Sequence, residues 1–302
     1  MQELLISSFG PLLQVGTASP EVAQMNLFQA IVLGIVQGLT EFLPISSTAH
    51  LKVVPVVLGW GDPGVAFTAI VQLGSIAAIL GYFRQDLVDV TTKMVRAGMA
   101  AKYNSPDFRL GLGILLGTVP IVFFGLLIKV FIPDFDNSPL RHVSTIAIMS
   151  IVMAMLLAVA EMLGKRKRTF ENLDMRDGVG MGLAQALALI PGVSRSGSTL
   201  TAGLFMGLER ATAARFSFLL GIPSITLAGL VELKGLFDEG LGSVGWLPLI
   251  AGVITALISS YLAIDWLLRF LKHRSTWVFV WYRLAFGLAI LLAIATGRMQ
   301  NI

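Results

Sequence analysis

Two short stretches of an otherwise apolar chain contain the side chains that could do chemistry. In the first, Gln37 and Glu41 are four residues apart, so a helix would place them on one face, where both can address one ligand. Hydroxyl and imidazole side chains follow at Ser46, Ser47, Thr48 and His50. A carboxylate, hydroxyl nucleophiles and an imidazole are the groups that acid–base and nucleophilic catalysis require. The first stretch is therefore a candidate catalytic segment.

The second stretch has the composition of an anion-binding segment. Arg195 lies in a run of small and hydroxyl-bearing residues, namely Ser194, Ser196, Gly197, Ser198 and Thr199. A guanidinium, hydroxyl groups and backbone N–H groups at the start of a helix favour the binding of a phosphate or a carboxylate. A single Ser or Thr often bonds only to its own helix backbone, but the clustering here favours a site.

Composition places these stretches in a membrane protein. Of 302 residues, 55% are hydrophobic and 13% are charged, and that charged share is about half of what soluble domains contain. The net charge of +4 comes from short basic runs between apolar blocks, so nucleic-acid binding is not expected. The absence of cysteine excludes disulfides and thiolate metal sites. Six blocks are long enough to cross a bilayer as helices: 66–83, 110–131, 143–163, 212–231, 247–268 and 276–296.

Both chemical stretches lie in apolar regions that are interrupted. Regions 27–58 and 178–208 break near Pro44 and Pro191, and each half is too short to span a bilayer. A break at membrane depth is tolerated where it is buried in protein or lines a cavity, which predicts two re-entrant helical hairpins. Lys and Arg are concentrated in three connections, which are therefore predicted to be cytoplasmic: 84–109, 165–176 and 269–274. Six spans agree with this orientation only if each hairpin enters and leaves on one side.

The two interrupted regions also resemble each other. Residues 33–48, LGIVQGLTEFLPISST, align with residues 181–196, MGLAQALALIPGVSRS. The first hairpin approaches from outside and the second from the cytoplasm, which predicts an inverted-topology repeat with a site near the midplane. The predicted fold class is an all-α polytopic membrane protein with six full transmembrane helices and two re-entrant helical hairpins. Its predicted parts are an N-terminal extension, 1–26, and one membrane domain, 27–302, made of repeats 27–163 and 177–302.

Two motifs resemble those of a known family. Residues 37–50, QGLTEFLPISSTAH, and residues 191–199, PGVSRSGST, are similar to the signature motifs of bacterial undecaprenyl-pyrophosphate phosphatases of the bacitracin-resistance type. The resemblance implies hydrolysis of undecaprenyl pyrophosphate to undecaprenyl phosphate and inorganic phosphate. That reaction would recycle the lipid carrier for cell-wall synthesis and confer bacitracin resistance. It also implies a divalent cation, usually Mg²⁺, and residence in the bacterial plasma (inner) membrane, with the site opening to the outer face.

The resemblance also implies roles for particular residues. Glu41 matches the essential carboxylate, Ser47 the proposed nucleophile and His50 the motif histidine, and Arg195 completes the catalytic set. The phosphates of the substrate would contact Ser46, Thr48, Ser194, Ser196, Thr199 and Arg283. The cation would bind Glu41, with Gln37 as a second candidate ligand, although the Gln37 amide cannot act as a base. How Glu41, Ser47 and His50 divide the roles of acid, base and nucleophile stays open.

Other functions and partners compete with this interpretation. Inverted repeats with broken helices are typical of secondary transporters, so a transporter or flippase of polyprenyl phosphate lipids is the main alternative. Phosphatidic-acid phosphatases pair a Ser–Arg motif with a histidine soon after it, but the next histidine after Arg195 is His273. The expected partners are undecaprenyl pyrophosphate and membrane lipids, and a homodimer is left open. Gln72 is predicted to form interhelical hydrogen bonds rather than to bind a ligand.

Overall fold

The computed structural model describes residues 25–61, 63–132, 134–135, 138–239 and 245–301, except the side chains of 65, 66 and 235–239. The predicted N-terminal extension, 1–26, lies almost wholly outside these ranges. Within them the chain contains α-helices, short 3₁₀ turns and no β-strand. The helices are α1 (Leu27–Phe42), α2 (Ser47–Val57), α3 (Val65–Tyr82), α4 (Arg84–Met99), α5 (Pro106–Phe131), α6 (Val143–Leu163), α7 (Met175–Ala186), α8 (Arg195–Phe205), α9 (Arg210–Glu239), α10 (Trp246–His273) and α11 (Trp277–Ala295).

Long apolar helices make the chain a multi-pass membrane protein. Five helices in the described ranges are long and apolar enough to cross a bilayer, namely α5, α6, the part of α9 up to Lys234, α10 and α11. They confirm five of the six predicted blocks. The remaining block, 66–83, forms α3, but Phe67–Tyr82 meets the length and composition of a span only together with Arg84–Met99, across a bend of 64°. The number of candidate spans is therefore five or six.

Helix α4 lies where only a connecting loop was predicted. None of its side chains is buried, and it carries acidic and basic residues such as Asp86 and Arg96. Its apolar residues Val88, Val95 and Met99 are also exposed. A helix with exposed apolar and charged side chains is suited to the boundary between headgroups and acyl chains.

Both interrupted regions break where the sequence predicts. Helix α1 ends at Phe42 and α2 begins at Ser47, while α7 ends at Ala186 and α8 begins at Arg195. Ser46 and Ser194, the residues before α2 and α8, have left-handed backbone angles, with φ of 76° and 73°. These angles are uncommon for residues other than glycine and cluster at functional sites. They place the first residue of each short helix, Ser47 and Arg195, directly at a break.

Glycines let helices from the two halves of the chain approach closely. Helix α1 packs along α10, and α7 packs along α5. Where α7 crosses α5, a Cβ atom on Gly178 would collide with the backbone of Gly113, and one on Gly182 would collide with the backbone of Gly117. In lipid the hydrophobic effect does not drive helices together, so association depends on close packing. Small residues at such crossings allow extensive backbone contact and so stabilise the helix pair.

Ion pairs join the helix ends on the side that basic residues predict to be cytoplasmic. Buried Glu161, near the end of α6, accepts hydrogen bonds from Arg166, Arg210 and Thr276. Three further pairs lie on the same side: Arg168–Asp177, Arg109–Asp174 and Arg215–Asp86. Together they tie the ends of α4, α5, α6, α7, α9 and α11 to one another.

Substituting Gly178 by Ala tests the α5–α7 contact. The added methyl group meets backbone rather than a flexible side chain, so we expect a loss of about 1–3 kcal/mol in the free energy of unfolding. The matched control is Gly81→Ala on α3, where a Cβ meets nothing within 4 Å. Both substitutions gain similar helix propensity. Thermal unfolding in detergent should show a lower Tm for Gly178→Ala alone; equal Tm values would contradict the packing.

Candidate active site

A cavity of about 160 Å³ lies between the two helix breaks. Its polar lining consists of Glu41, Ser46, Ser47, Thr48, Gln72, Ser194, Arg195 and Ser224. The apolar lining is Ile121, Ala188, Ile190, Pro191, Gly192, Ile225 and Ala228. The cavity therefore brings together the two chemical stretches of the sequence, with walls supplied by α3, α5 and α9.

Glu41 is the centre of the polar contacts. The hydroxyl of Ser47 donates to Glu41 Oε2 at 2.7 Å, and the amide of Gln37 donates to the same oxygen at 3.2 Å. On the other side, Arg195 Nη2 lies 3.4 Å from Glu41 Oε1. A hydroxyl this close to a carboxylate has the geometry of a nucleophile beside its general base. Of the predicted catalytic residues, Ser47 and Arg195 thus both contact Glu41.

The Glu41–Arg195 pair satisfies two charges that are both largely removed from solvent. The side chains of Glu41 and Arg195 are 10% and 11% exposed. An unpaired charge at such a position would cost several kcal/mol, whereas a partner of opposite sign offsets part of that cost. Because Glu41 belongs to the first break and Arg195 to the second, the charge balance of the site depends on both.

Polar residues behind Glu41 hold it in place. Gln37 is buried and lies one helical turn before Glu41, as the four-residue spacing predicts. Its amide nitrogen also lies 3.5 Å from the Ser75 hydroxyl, which accepts a hydrogen bond from Ser260 at 2.9 Å. Gln37 therefore contacts Glu41 from behind rather than from the cavity. Nothing in the sequence pattern indicates that Ser75 on α3 and Ser260 on α10 support the site.

Arg195 has one nitrogen without an acceptor. Its Nη1 atom is buried and has no hydrogen-bond partner among the described residues. The guanidinium packs against α9 at Gly221, where any Cβ would overlap Nη1. A buried donor of this kind is uncommon in folded proteins and is usually satisfied by water or a ligand. Ser194, beside it, caps α8 by accepting a hydrogen bond from the Gly197 N–H at 3.1 Å.

Two residues with predicted roles in chemistry do not line the cavity. The His50 nitrogens lie 2.7 Å from the backbone oxygen of Ser46 and 2.6 Å from the hydroxyl of Tyr282. The Arg283 guanidinium is 1% exposed and donates to backbone oxygens. The structure therefore does not bring His50 or Arg283 to the cavity wall, and direct substrate contact by either stays a prediction.

Two predicted phosphate ligands are also turned towards protein atoms. The Ser196 hydroxyl donates to the backbone oxygen of Leu43 at 3.0 Å, which links the start of α8 to the first break. The Thr199 hydroxyl contacts its own helix backbone at Arg195, 2.8 Å away, and the hydroxyl of Ser217 on α9. The remaining predicted phosphate ligands, Ser46, Thr48 and Ser194, are on the cavity wall.

Sequence reasoning missed other residues of the cavity wall. Gln72 on α3, which is predicted to form interhelical hydrogen bonds, lines the cavity. Ser224 on α9 also lines it and lies 3.3 Å from Gln185 Oε1. The aligned repeats offer one signal for this pair, because Gln185 occupies the place of Gln37 in the second stretch.

The donor set suits a cation that arrives with a phosphate ligand. Among the described residues, no group of three or more His, Cys, Asp or Glu side chains could cage a metal ion. Glu41 is the acidic residue of the cavity wall. Mg²⁺ is commonly held by one or two carboxylates together with water and substrate phosphates, rather than by a complete protein cage. The residues present therefore fit a Mg²⁺ ion that Glu41 would hold.

Known proteins are similar to this chain over most of its length. The family model described as "Bacitracin resistance protein BacA" matches residues 30–289. The undecaprenyl-diphosphatase of Trichormus variabilis is 68% identical over 294 residues, which are 96% of this chain and 92% of the relative. Proteins of the same name from a Synechocystis species and from Synechococcus elongatus are 66% and 64% identical, covering 90% and 92% of this chain and 84% and 97% of their own. The matched region contains all cavity-lining residues. The chain belongs to the bacitracin resistance protein BacA family.

Proposed function

We propose that the chain is an integral membrane undecaprenyl-diphosphatase, which hydrolyses undecaprenyl pyrophosphate to undecaprenyl phosphate and inorganic phosphate. The observation that carries this proposal is the contact of Ser47 and Arg195 with the two oxygens of Glu41 at one cavity. Relatives that are 59–68% identical to the chain over the aligned residues bear the name of this activity. Release of the monophosphate would return the lipid carrier to cell-wall synthesis, and the family name points to bacitracin resistance.

In the proposed first step, Ser47 Oγ attacks the terminal phosphorus of the pyrophosphate. Its proton passes to Glu41, the bond between the terminal phosphorus and the bridging oxygen breaks, and undecaprenyl phosphate leaves. Water then attacks the phosphorus of the phosphoserine, the bond between phosphorus and Ser47 Oγ breaks, and inorganic phosphate leaves, while the proton held by Glu41 returns to Ser47 Oγ. Arg195 neutralises the charge that develops on the phosphoryl oxygens, since phosphoryl transfer depends mainly on positioning and electrostatics. Ser46, Thr48 and Ser194 are the hydroxyls on the cavity wall that would contact the phosphates.

Glu41 is the residue that would hold the proposed cation. Gln37 donates its amide hydrogen to Glu41, so the amide oxygen is the ligand atom it could still offer. When bound, Mg²⁺ would supply positive charge to the phosphate oxygens. Apart from the attacking water, every other role in the reaction is assigned to side chains of this chain.

Matched contacts in the two halves support the proposed inverted repeat, 27–163 and 177–302. Ser46 and Ser194 occupy equivalent places and have φ values that differ by 3°, the difference between 76° and 73°. Gln37 lies near Ser75, from α1 to α3, and Gln185 lies near Ser224, from α7 to α9. These correspondences favour re-entrant hairpins on opposite sides of a site near the midplane.

We place the protein in the plasma membrane, with the cavity opening to the outer face. Two features support this orientation. Basic connections predict which end is cytoplasmic, and the ion pairs of Glu161, Asp177, Asp174 and Asp86 tie together the helix ends on that side. Access for a lipid headgroup is easier from the end without this network.

Three substitutions test the proposed chemistry. Glu41→Gln, Ser47→Ala and Arg195→Lys should each lower phosphate release from undecaprenyl pyrophosphate by roughly 10²–10⁴-fold. Ser144→Ala, on α6 and away from the cavity, is the control for serine removal. Release is measured in detergent with Mg²⁺, where no gradient exists and a flippase would give no product. Full activity of Ser47→Ala would show that Ser47 is not the nucleophile, and full activity of all three would overturn the proposed function.

Gly221→Ala tests whether α9 positions Arg195. Its methyl group would occupy the place of Arg195 Nη1, so the guanidinium must leave the position in which it contacts Glu41. We expect phosphate release to fall about 10- to 100-fold, because a displacement of about 1 Å in a catalytic group has effects of this size. Gly125→Ala on α5, where the nearest atom is 3.6 Å from the added Cβ, is the matched control. Similar activities of the two variants would contradict the role of Gly221.

Chelation tests the cation. EDTA should abolish phosphate release and excess Mg²⁺ should restore it. Binding is measured separately with Mn²⁺ by electron paramagnetic resonance in the presence of inorganic pyrophosphate. Glu41→Gln should weaken Mn²⁺ binding at least tenfold, whereas Ser144→Ala should leave it unchanged. Undiminished release after chelation would remove the cation from the proposal.

A further inference from the structure

The helix breaks leave backbone oxygens that need donors. Inside a bilayer, a carbonyl group without a hydrogen-bond partner costs several kcal/mol because no water is available. At the first break Pro44 presents such an oxygen, and at the second break Gly192 and Val193 do so. Arg283 on α11 supplies the donors for these three, whereas Ser46 O accepts from the backbone N–H of His50 at 3.4 Å and also from the His50 ring.

Arg283 on α11 bridges the two breaks. Its Nη1 donates to Pro44 O at 2.9 Å, and its Nη2 donates to Gly192 O at 2.7 Å and Val193 O at 3.1 Å. Its Nε donates to Ser150 O on α6 at 3.2 Å. Four of the five N–H groups of the guanidinium are therefore used by backbone. One N–H group is left, so a phosphate that accepted more than one hydrogen bond from Arg283 would have to displace these bonds.

Tyr282, the preceding residue, supports the first break through His50. A carbonyl oxygen cannot donate, so His50 Nδ1 carries the hydrogen that bonds to Ser46 O at 2.7 Å. In the neutral ring, Nε2 is then an acceptor, and the Tyr282 hydroxyl donates to it at 2.6 Å. The His50 ring also stacks on Phe286, one turn later on α11, with centroids 4.5 Å apart. Both nitrogens of His50 are occupied away from the cavity.

We propose that Tyr282 and Arg283 are positioning residues, which together form a clamp on α11 that sets the distance between Ser47 and Arg195. The clamp holds the backbone one residue before Ser47, at Ser46 O through His50, and two residues before Arg195, at Val193 O through Arg283. It acts through His50 and the backbone and does not contact the substrate. This inference rests on the proposed function, because the distance that it sets matters to catalysis only if Ser47 and Arg195 act on one phosphate group.

Kinetics distinguish a clamp from a phosphate ligand. Loss of a positioning residue lowers kcat and leaves KM nearly constant, whereas loss of a phosphate ligand also raises KM. We expect Arg283→Met to lower kcat about 100-fold and Tyr282→Phe about 10-fold, as small misplacements of reacting groups do. KM should stay within about threefold at fixed detergent concentration. Arg283→Lys should not restore kcat, because one ammonium group cannot reproduce the fork that spans both breaks. Tyr261→Phe, an exposed tyrosine on α10, is the control.

A distance measurement makes the test independent of activity. The chain contains no cysteine, so two can be introduced without further changes. Val57→Cys at the end of α2 and Phe205→Cys at the end of α8 are both exposed, and nitroxide labels there report the separation of the two short helices. The distance distribution from double electron–electron resonance should broaden or shift in Arg283→Met and Tyr282→Phe. The distance distribution should keep its width in Arg195→Lys, because this substitution changes the contact with Glu41 and leaves the hydrogen bonds of Tyr282 and Arg283 in place.

The two measurements separate the outcomes. An unchanged distance distribution in both clamp variants, together with a KM raised tenfold or more in Arg283→Met, would overturn the clamp and make Arg283 a phosphate ligand. Tyr282→Phe removes a single oxygen, so it keeps the test valid if Arg283→Met fails to fold. If the unsubstituted protein releases no phosphate, the proposed function fails, while the distance measurement still decides whether α11 fixes the two breaks.

Discussion

Inside a bilayer no water is available to donate hydrogen bonds to the backbone oxygens at a helix break, so the protein must supply the donors. This requirement governs the arrangement of the protein. The breaks at Pro44 and Gly192 are stable because Arg283 donates to both. With those oxygens satisfied, α2 and α8 can begin in the interior of the protein, and their first residues, Ser47 and Arg195, lie beside a cavity. The hydrogen bonds from Arg283 that stabilise the breaks therefore also position Ser47 and Arg195.

Charge imposes the second condition. Glu41 and Arg195 lower the cost of burying each other, and each comes from a different break, so neither half of the chain contains a balanced site. Among the residues that the structure describes, Arg195 Nη1 finds no acceptor. A phosphate anion that enters with a cation would change the charge of the cavity little and would supply an acceptor. The site is thus suited to a pyrophosphate headgroup held by a lipid in the same membrane.

The sequence predicts the parts of this arrangement that depend on local pattern. The block 143–163 coincides with α6, and the breaks near Pro44 and Pro191 lie where proline, glycine and serine interrupt apolar runs. Helix α4 was missed because its mixed charged and apolar residues are equally typical of a loop. The contacts of Arg283 with both breaks cannot be predicted for another reason: sequence gives the depth of a residue along a helix, but not the direction in which its side chain points. Tyr282 has no signal of its own.

In the proposed mechanism Glu41 and Arg195, from opposite breaks, act as one catalytic unit. A double-mutant cycle on kcat/KM for phosphate release tests it directly, with Glu41→Gln, Arg195→Lys and the combined variant in the same detergent. Residues that act as a unit give strongly non-additive losses. We predict that the combined variant is no more than about threefold worse than the poorer single variant. Losses that simply multiply would show that the two residues act independently and would contradict a shared site.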